Sequence, residues 1–228
     1  SRRVGQGRVY VQLGNVKRVD YSAWCLGLGK GQSYVSDGYA HALSFAVDGH
    51  SAGRQDVELA QAGSVQVTAD IAFAPATPVG VAYGTLDPES NRVAGDTVQL
   101  HAPRSVEYVK GGQRIVDLVV NGQKVSQQRV PADGKVHQLK FDVEITQSSW
   151  IALRQFPQLH TNPVNVIVAE KPIRASRRSA QWCLESTRQL WKLRNRYISQ
   201  EERGEAWLAY ERSIKRYMEI MNESTNRD

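Results

Sequence analysis

The chain has no histidine pair. Its five histidines, His41, His50, His101, His137 and His160, are scattered, so neither His-x-His nor His-Glu-x-x-His occurs. Divalent-metal sites need several ligands converging on one point, and two side chains on one strand or helix face supply that readily. Cysteine is equally scarce. Cys25 and Cys183 stand too far apart for zinc-knuckle spacing, and a buried free thiol is the expected state of both. The glycine cluster Gly27-Leu28-Gly29-Lys30-Gly31 lacks the spacing of a phosphate-binding loop and does not lead from a strand into a helix. A helix end explains it, because glycine adopts positive φ without penalty. No run of eighteen apolar residues occurs, so no transmembrane helix is expected. No signal-peptide pattern opens the sequence.

Charge is present but uneven. The net charge of the 228 residues is +6. The stretch from Lys171 to Arg196 carries eight basic residues against the single acid Glu185, which accounts for the whole excess. A basic helix can be a nucleic-acid patch. No nucleic-acid motif accompanies this one, and its aromatics fall at core spacing. A solvated face, paired with Glu201, Glu202 and Glu205 of the following helix, explains it better, so nucleic acid is disfavoured as a partner.

Three regions follow one another. Residues 1–38 hold an alternating strand, Arg8 to Leu13, and a short helix, Tyr21 to Leu26, capped by Asp20 and containing Trp24. Residues 39–170 read as all-β. Leu43 to Val47 runs into the turn signal Asp48-Gly49. Val65, Val67, Ala69, Ile71 and Phe73 share one face of a strand. Ile115 to Val120 meets Asn121-Gly122 and returns through Val125. Asp133-Gly134 precedes a run with Leu139, Phe141, Val143 and Ile145 on one face. Between Ala74 and Gln113 the pattern is irregular, with Tyr83 and Tyr108 as candidates for an exposed face. Residues 171–228 predict two helices. The first, Ser179 to Ile198, carries Trp182, Leu190 and Trp191. The capping-box sequence Ser199-Gln200-Glu201-Glu202 opens the second, which aligns Trp207, Tyr210, Ile214, Tyr217 and Met221 in one seam. The fold class is therefore mainly β with α: an antiparallel β-sandwich followed by a C-terminal helical hairpin covering it.

The most informative stretch is Ser148 to Ser176, SSWIALRQFPQLHTNPVNVIVAEKPIRAS. Trp150, Ala152 and the stem of Arg154 share one strand face, and Ile151 and Leu153 the other. Pro157 interrupts the ladder, since it has no N–H to donate. His160-Thr161-Asn162-Pro163 forms a polar corner before a fresh strand, Val164 to Val168. Arg154 and His160 are the two candidate site residues. Either they hold the last strands together, with the guanidinium reaching a backbone carbonyl or a carboxylate, or they face a partner domain.

This stretch resembles the C-terminal region of the carbaryl-hydrolase-like (CehA/McbA) metallohydrolases. In that family a metal domain of the polymerase-and-histidinol-phosphatase type precedes a β-rich domain. Two further segments are similar to it. RVGQGRVYV, Arg3 to Val11, resembles the strand that ends the metal domain, and GQSYVSDG, Gly31 to Gly38, the motif leading into the β domain. The similar segments together reach across nearly the whole chain. The resemblance implies that residues 1–38 are the tail of an upstream metal domain and a connector, and that the divalent metal belongs to that domain. No cofactor, catalytic residue or metal ligand is expected in this chain. The expected partner is the upstream domain of the same protein, with self-association as a second class and no membrane. Two function classes result: an accessory region of a metal-dependent hydrolase without catalysis of its own, or a β-sandwich binding module for carbohydrate or protein. An exposed row of Trp or Tyr on one sheet favours the module. An exposed apolar patch around Val9, Tyr10, Val11 and Trp24 favours a domain interface.

Overall fold

The computed structural model describes residues 7–78 and 108–224. The chain divides into two compact units, Ser1–Lys171 and Pro172–Asp228. The first is a β-sandwich. Its larger sheet contains β1 (Arg8–Val11), β2 (Ser33–Ser36), β5 (Val57–Leu59), β9 (Gln113–Val120), β10 (Gln123–Pro131), β12 (Ser149–Gln155), β13 (Leu159–Thr161) and β14 (Val164–Val168). The smaller sheet runs β11 (Val136–Ile145), β6 (Gly63–Phe73), β3 (Ala40–Val47), β4 (His50–Ser51). A ribbon, β7 (Ala76–Pro78) with β8 (Tyr108–Lys110), flanks them. All these pairings are antiparallel except β5 with β14.

Period-two patterning produces the core. Along β6, Val65, Val67, Ala69, Ile71 and Phe73 are all buried, and Leu139, Phe141 and Ile145 of β11 lie beside them. They meet Val116, Leu118, Ile151, Leu153 and Val166 of the larger sheet in a single cluster. The turn signals act as their chemistry requires. Asp48 (φ 45) with Gly49 (φ 80), and Asn121 (φ 51) with Gly122 (φ 87), occupy the left-handed region that a two-residue hairpin demands. A bulge between Ala42 and Ser44 lets Ala42 and Phe45 both face inward while Leu43 is exposed.

Several expectations need correction. The strand expected from Ile115 starts at Gln113, which brings Arg114 onto the inward face with Val116 and Leu118. Ala152 is as buried as Ile151 and Leu153, so both faces of β12 are covered there. The first helix, α1 (Tyr21–Gly29), is capped by Asp20 as expected but runs through Gly27. Gly27 serves a close approach, because a Cβ there would lie 2.6 Å from Val11. The chain turns out of the helix at Gly31 (φ 77) instead. Cys25 is exposed on α1, and Cys183 is half-buried. The strands of the first 38 residues are members of the larger sheet, with β2 paired to β13. Tyr108 is exposed on β8, whereas Tyr83 lies outside the described residues.

The second unit is a helical hairpin. Ser176 caps α2 (Arg177–Arg194), a 3-10 turn spans Asn195–Tyr197, and α3 (Arg203–Glu223) returns. The helices are antiparallel: Arg177 donates to the Met221 carbonyl at one end, and Trp191 packs on Trp207 and Tyr210 at the other, 5.0 and 5.1 Å between centroids. Only half of the capping box forms. Ser199 Oγ accepts the Glu202 N–H, but the Glu202 carboxylate takes the Ser199 hydroxyl. Among the described residues, the basic residues of 171–196 that form ion pairs find their acids at Glu185 (from Arg188) and Glu223 (from Arg174), not at Glu201, Glu202 or Glu205. No helix among the described residues is long and apolar enough to cross a membrane.

Candidate functional site

The corner between β12 and β14 brings the two sequence candidates together. Across neighbouring strands β9, β12, β13 and β2, residues Asp117, Arg154, His160 and Val35 stand opposite one another in register. Arg154 Nη2 lies 3.3 Å from Asp117 Oδ2, with the two side chains 37% and 18% exposed. His160 Nδ1 lies 2.7 Å from the Thr161 carbonyl. The ring therefore donates through Nδ1, and in the neutral imidazole Nε2 is left as the acceptor. A shallow cleft of about 220 Å³ beside them is bordered by Asp37 and by the Phe156–Pro157 turn. Asn162 ties the corner to the loop after α1, donating to the Gly31 carbonyl (3.0 Å) and to Ser33 Oγ (2.9 Å).

Beneath the corner lies a polar chain that sequence reasoning missed. Arg114 is fully buried, yet among the described residues no carboxylate lies within ion-pair distance of it. Its Nε donates to Gln158 Oε1 at 3.1 Å, and longer contacts reach the Gly111 and Gln113 carbonyls and Thr77 Oγ1. Gln158 Nε2 in turn donates to Asp37 Oδ2 at 2.9 Å, while the Tyr39 N–H serves Asp37 Oδ1 at 2.7 Å. A buried amide thus bridges a cation and an anion. Arginine can only donate and a carboxylate can only accept, so the two ends fix which way the amide points. Burial pulls the Arg114 pKa down, opposed by the charge of Asp37. Burial pushes the Asp37 carboxyl up, against the Tyr39 N–H, the Gln158 amide and the charge of Arg8. The signal for Arg114 was present, two residues before Val116 on an alternating strand. Nothing local marked Asp37 or Gln158 as its partners.

A second cluster joins the two sheets. Tyr10 and Tyr34 stack at 5.1 Å, and His41 meets Tyr10 edge-on at 4.9 Å. Tyr34 Oη and His41 Nδ1 are 2.9 Å apart. Burial raises the phenol to about 12, so it stays protonated and donates to the imidazole.

The Arg154–Asp117 pair links β12 to β9 and the Tyr34–His41 contact links the two sheets, whereas His160 bonds the next residue of its own strand. Arg154 and His160 make no hydrogen bond to each other, and each is engaged by a local partner. Among the described residues, no three His, Cys, Asp or Glu side chains are grouped to hold a metal ion. No family model and no curated protein matches the chain.

Proposed function

We propose that this chain is a non-catalytic accessory region of a metal-dependent hydrolase, and that it packs through α1 and the β1–β2 edge against a metal-binding domain of the same protein. One observation carries this reading. Helix α1 is apolar, yet only Gly27 of its nine residues is buried. Tyr21 is 77% exposed, Leu26 65%, and Val19 just before the helix 71%; Val9 and Val35 extend the surface along the sheet edge. Trp24 stacks on Tyr21 instead of entering the core. Apolar surface gathered this way marks an interaction site, since each exposed CH₂ forgoes about 0.8 kcal/mol of burial. The similarity of Arg3 to Val11 to the end of a metal domain points to the same edge.

A binding module that works through exposed aromatics lacks its feature. Among the described residues no sheet presents a flat exposed row of Trp or Tyr; Tyr108 stands alone on β8. The test is a longer polypeptide in which this chain follows a metal-binding domain. Hydrogen exchange should show α1 and β1 protected there and open in the isolated chain. Leu26→Glu should remove that protection and lower hydrolase activity, leaving the melting temperature of the isolated chain unchanged. Equal exchange of α1 in both contexts would overturn the assignment.

A further inference from the structure

We propose that a second surface, a polar cleft at one end of the sandwich, binds an acidic saccharide. The cleft encloses about 1120 Å³ and is formed by four separate segments: the loop after α1, the β3–β4 turn, the loop before β5, and the corner between β13 and β14. Its size is slightly above the usual range for ligand sites, about 300–1,000 Å³. It uses none of the exposed apolar face of α1 and does not rest on the interface reading.

The walls are fixed before any ligand arrives. Gln32 Nε2 donates to the Gly53 carbonyl at 3.1 Å. Gly53 (φ 69) lies so close to the neighbouring loop that a Cβ would sit 2.3 Å from the Lys30 carbonyl oxygen. Asn165 Nδ2 reaches Asp56 Oδ1 at 3.2 Å, and Asn162 holds Gly31. Preorganised walls lower the ordering cost of binding.

The lining selects the ligand class. It holds no Phe, Tyr or Trp. A flat base has no aromatic ring to stack on. The polar groups divide unequally. Asp48 already accepts the Gln66 N–H at 2.7 Å, and Asp56 accepts from Asn165. Among the described residues, the side chains of Lys30, Arg54 and His50 make no hydrogen bond or ion pair. The uncommitted groups thus include two cationic donors, Lys30 and Arg54, flanked by amides. Hydroxyls of a sugar suit the amides and the remaining carboxylate oxygens, and a ring carboxylate suits Lys30 and Arg54. The cleft is open to solvent, so a chain of such units can lie along it.

Isothermal titration of the full chain with a short oligogalacturonate at physiological salt tests this, with a neutral cello-oligosaccharide of equal length as control. Saturable binding of the uronate only is expected. Both cations are exposed and unpartnered, so Lys30→Ala/Arg54→Ala should fold normally and bind at least about tenfold more weakly, as loss of charge-assisted bonds implies. Arg178→Ala/Lys192→Ala on α2 should leave binding unchanged. No saturable binding overturns the proposal. Equal binding of the neutral sugar overturns the acidic class. A loss as large from the α2 variant overturns the site, because attraction by net charge would then explain the affinity.

Discussion

Replacing Gln158 by leucine tests the buried polar chain most directly. The side chains are of similar volume, so the core is neither emptied nor crowded. What changes is the bridge. Arg114 Nε loses its 3.1 Å acceptor and Asp37 Oδ2 its 2.9 Å donor. An unsatisfied buried polar group costs about 1–3 kcal/mol, more when charged. Both ends keep partial support: Asp37 retains the Tyr39 N–H, and Arg114 its contacts at 3.3–3.5 Å. The net loss is then about 3 kcal/mol. In a domain of this size that corresponds to a fall in Tm on the order of 6–12 °C.

The pH dependence separates this mechanism from a packing defect. Burial raises the Asp37 pKa, so folding favours its protonated form. That contribution is fully present below the unfolded pKa of about 3.9 and is lost as pH rises through the folded pKa. The Gln158 amide lowers the folded pKa, so its removal raises it further. The deficit of Gln158→Leu should therefore widen from pH 4 to pH 7. Urea unfolding at a series of pH values reads this out. A deficit below about 1 kcal/mol at pH 7, or one independent of pH, would refute the reasoning.

Three further outcomes follow. Gly53→Ala should cost about 2 kcal/mol or more, measured by urea unfolding, because it combines positive φ with overlap against backbone that cannot swing away. Arg154→Ala should cost about 1 kcal/mol in the same assay, since a half-exposed ion pair adds little and the rest is lost stem packing; Arg154→Met should restore most of it. Leu26→Glu should reduce binding of a hydrophobic dye to the isolated chain without shifting its melting curve, because Leu26 packs on nothing that folding requires.

The sandwich was legible because its determinants are local. Alternation along β6 and β11 names the inward residues, and Asp48-Gly49 and Asn121-Gly122 place the turns where φ must be positive. The hairpin was legible for the same reason, at period 3.6. Errors arose where a local rule met a long-range contact. Gly27 looked like a stop signal and is instead a packing site for Val11. Cys25 follows the same logic in reverse: an apolar helix was visible in the sequence, but whether it is buried depends on what packs against it.

The polar chain shows how far the limit extends. Asp37, Arg114 and Gln158 come from a post-β2 turn, the start of β9 and the β12–β13 turn, separated by 44 to 121 residues. Alternation alone could place Arg114 inside, two residues before Val116. Electrostatics then required that something satisfy it, because an unpaired cation in an apolar core costs more than such a fold can spare. A sequence can thus establish that a partner must exist while leaving its identity open. The inference is weaker at the surface. Exposed apolar surface, such as that of α1, costs far less than a buried unpaired charge, so it motivates the proposed partner without requiring one. Inside the sandwich the partner proves to be Gln158 and, through it, Asp37. On the outside, the segment whose amides slow in hydrogen exchange when the longer polypeptide folds will identify it.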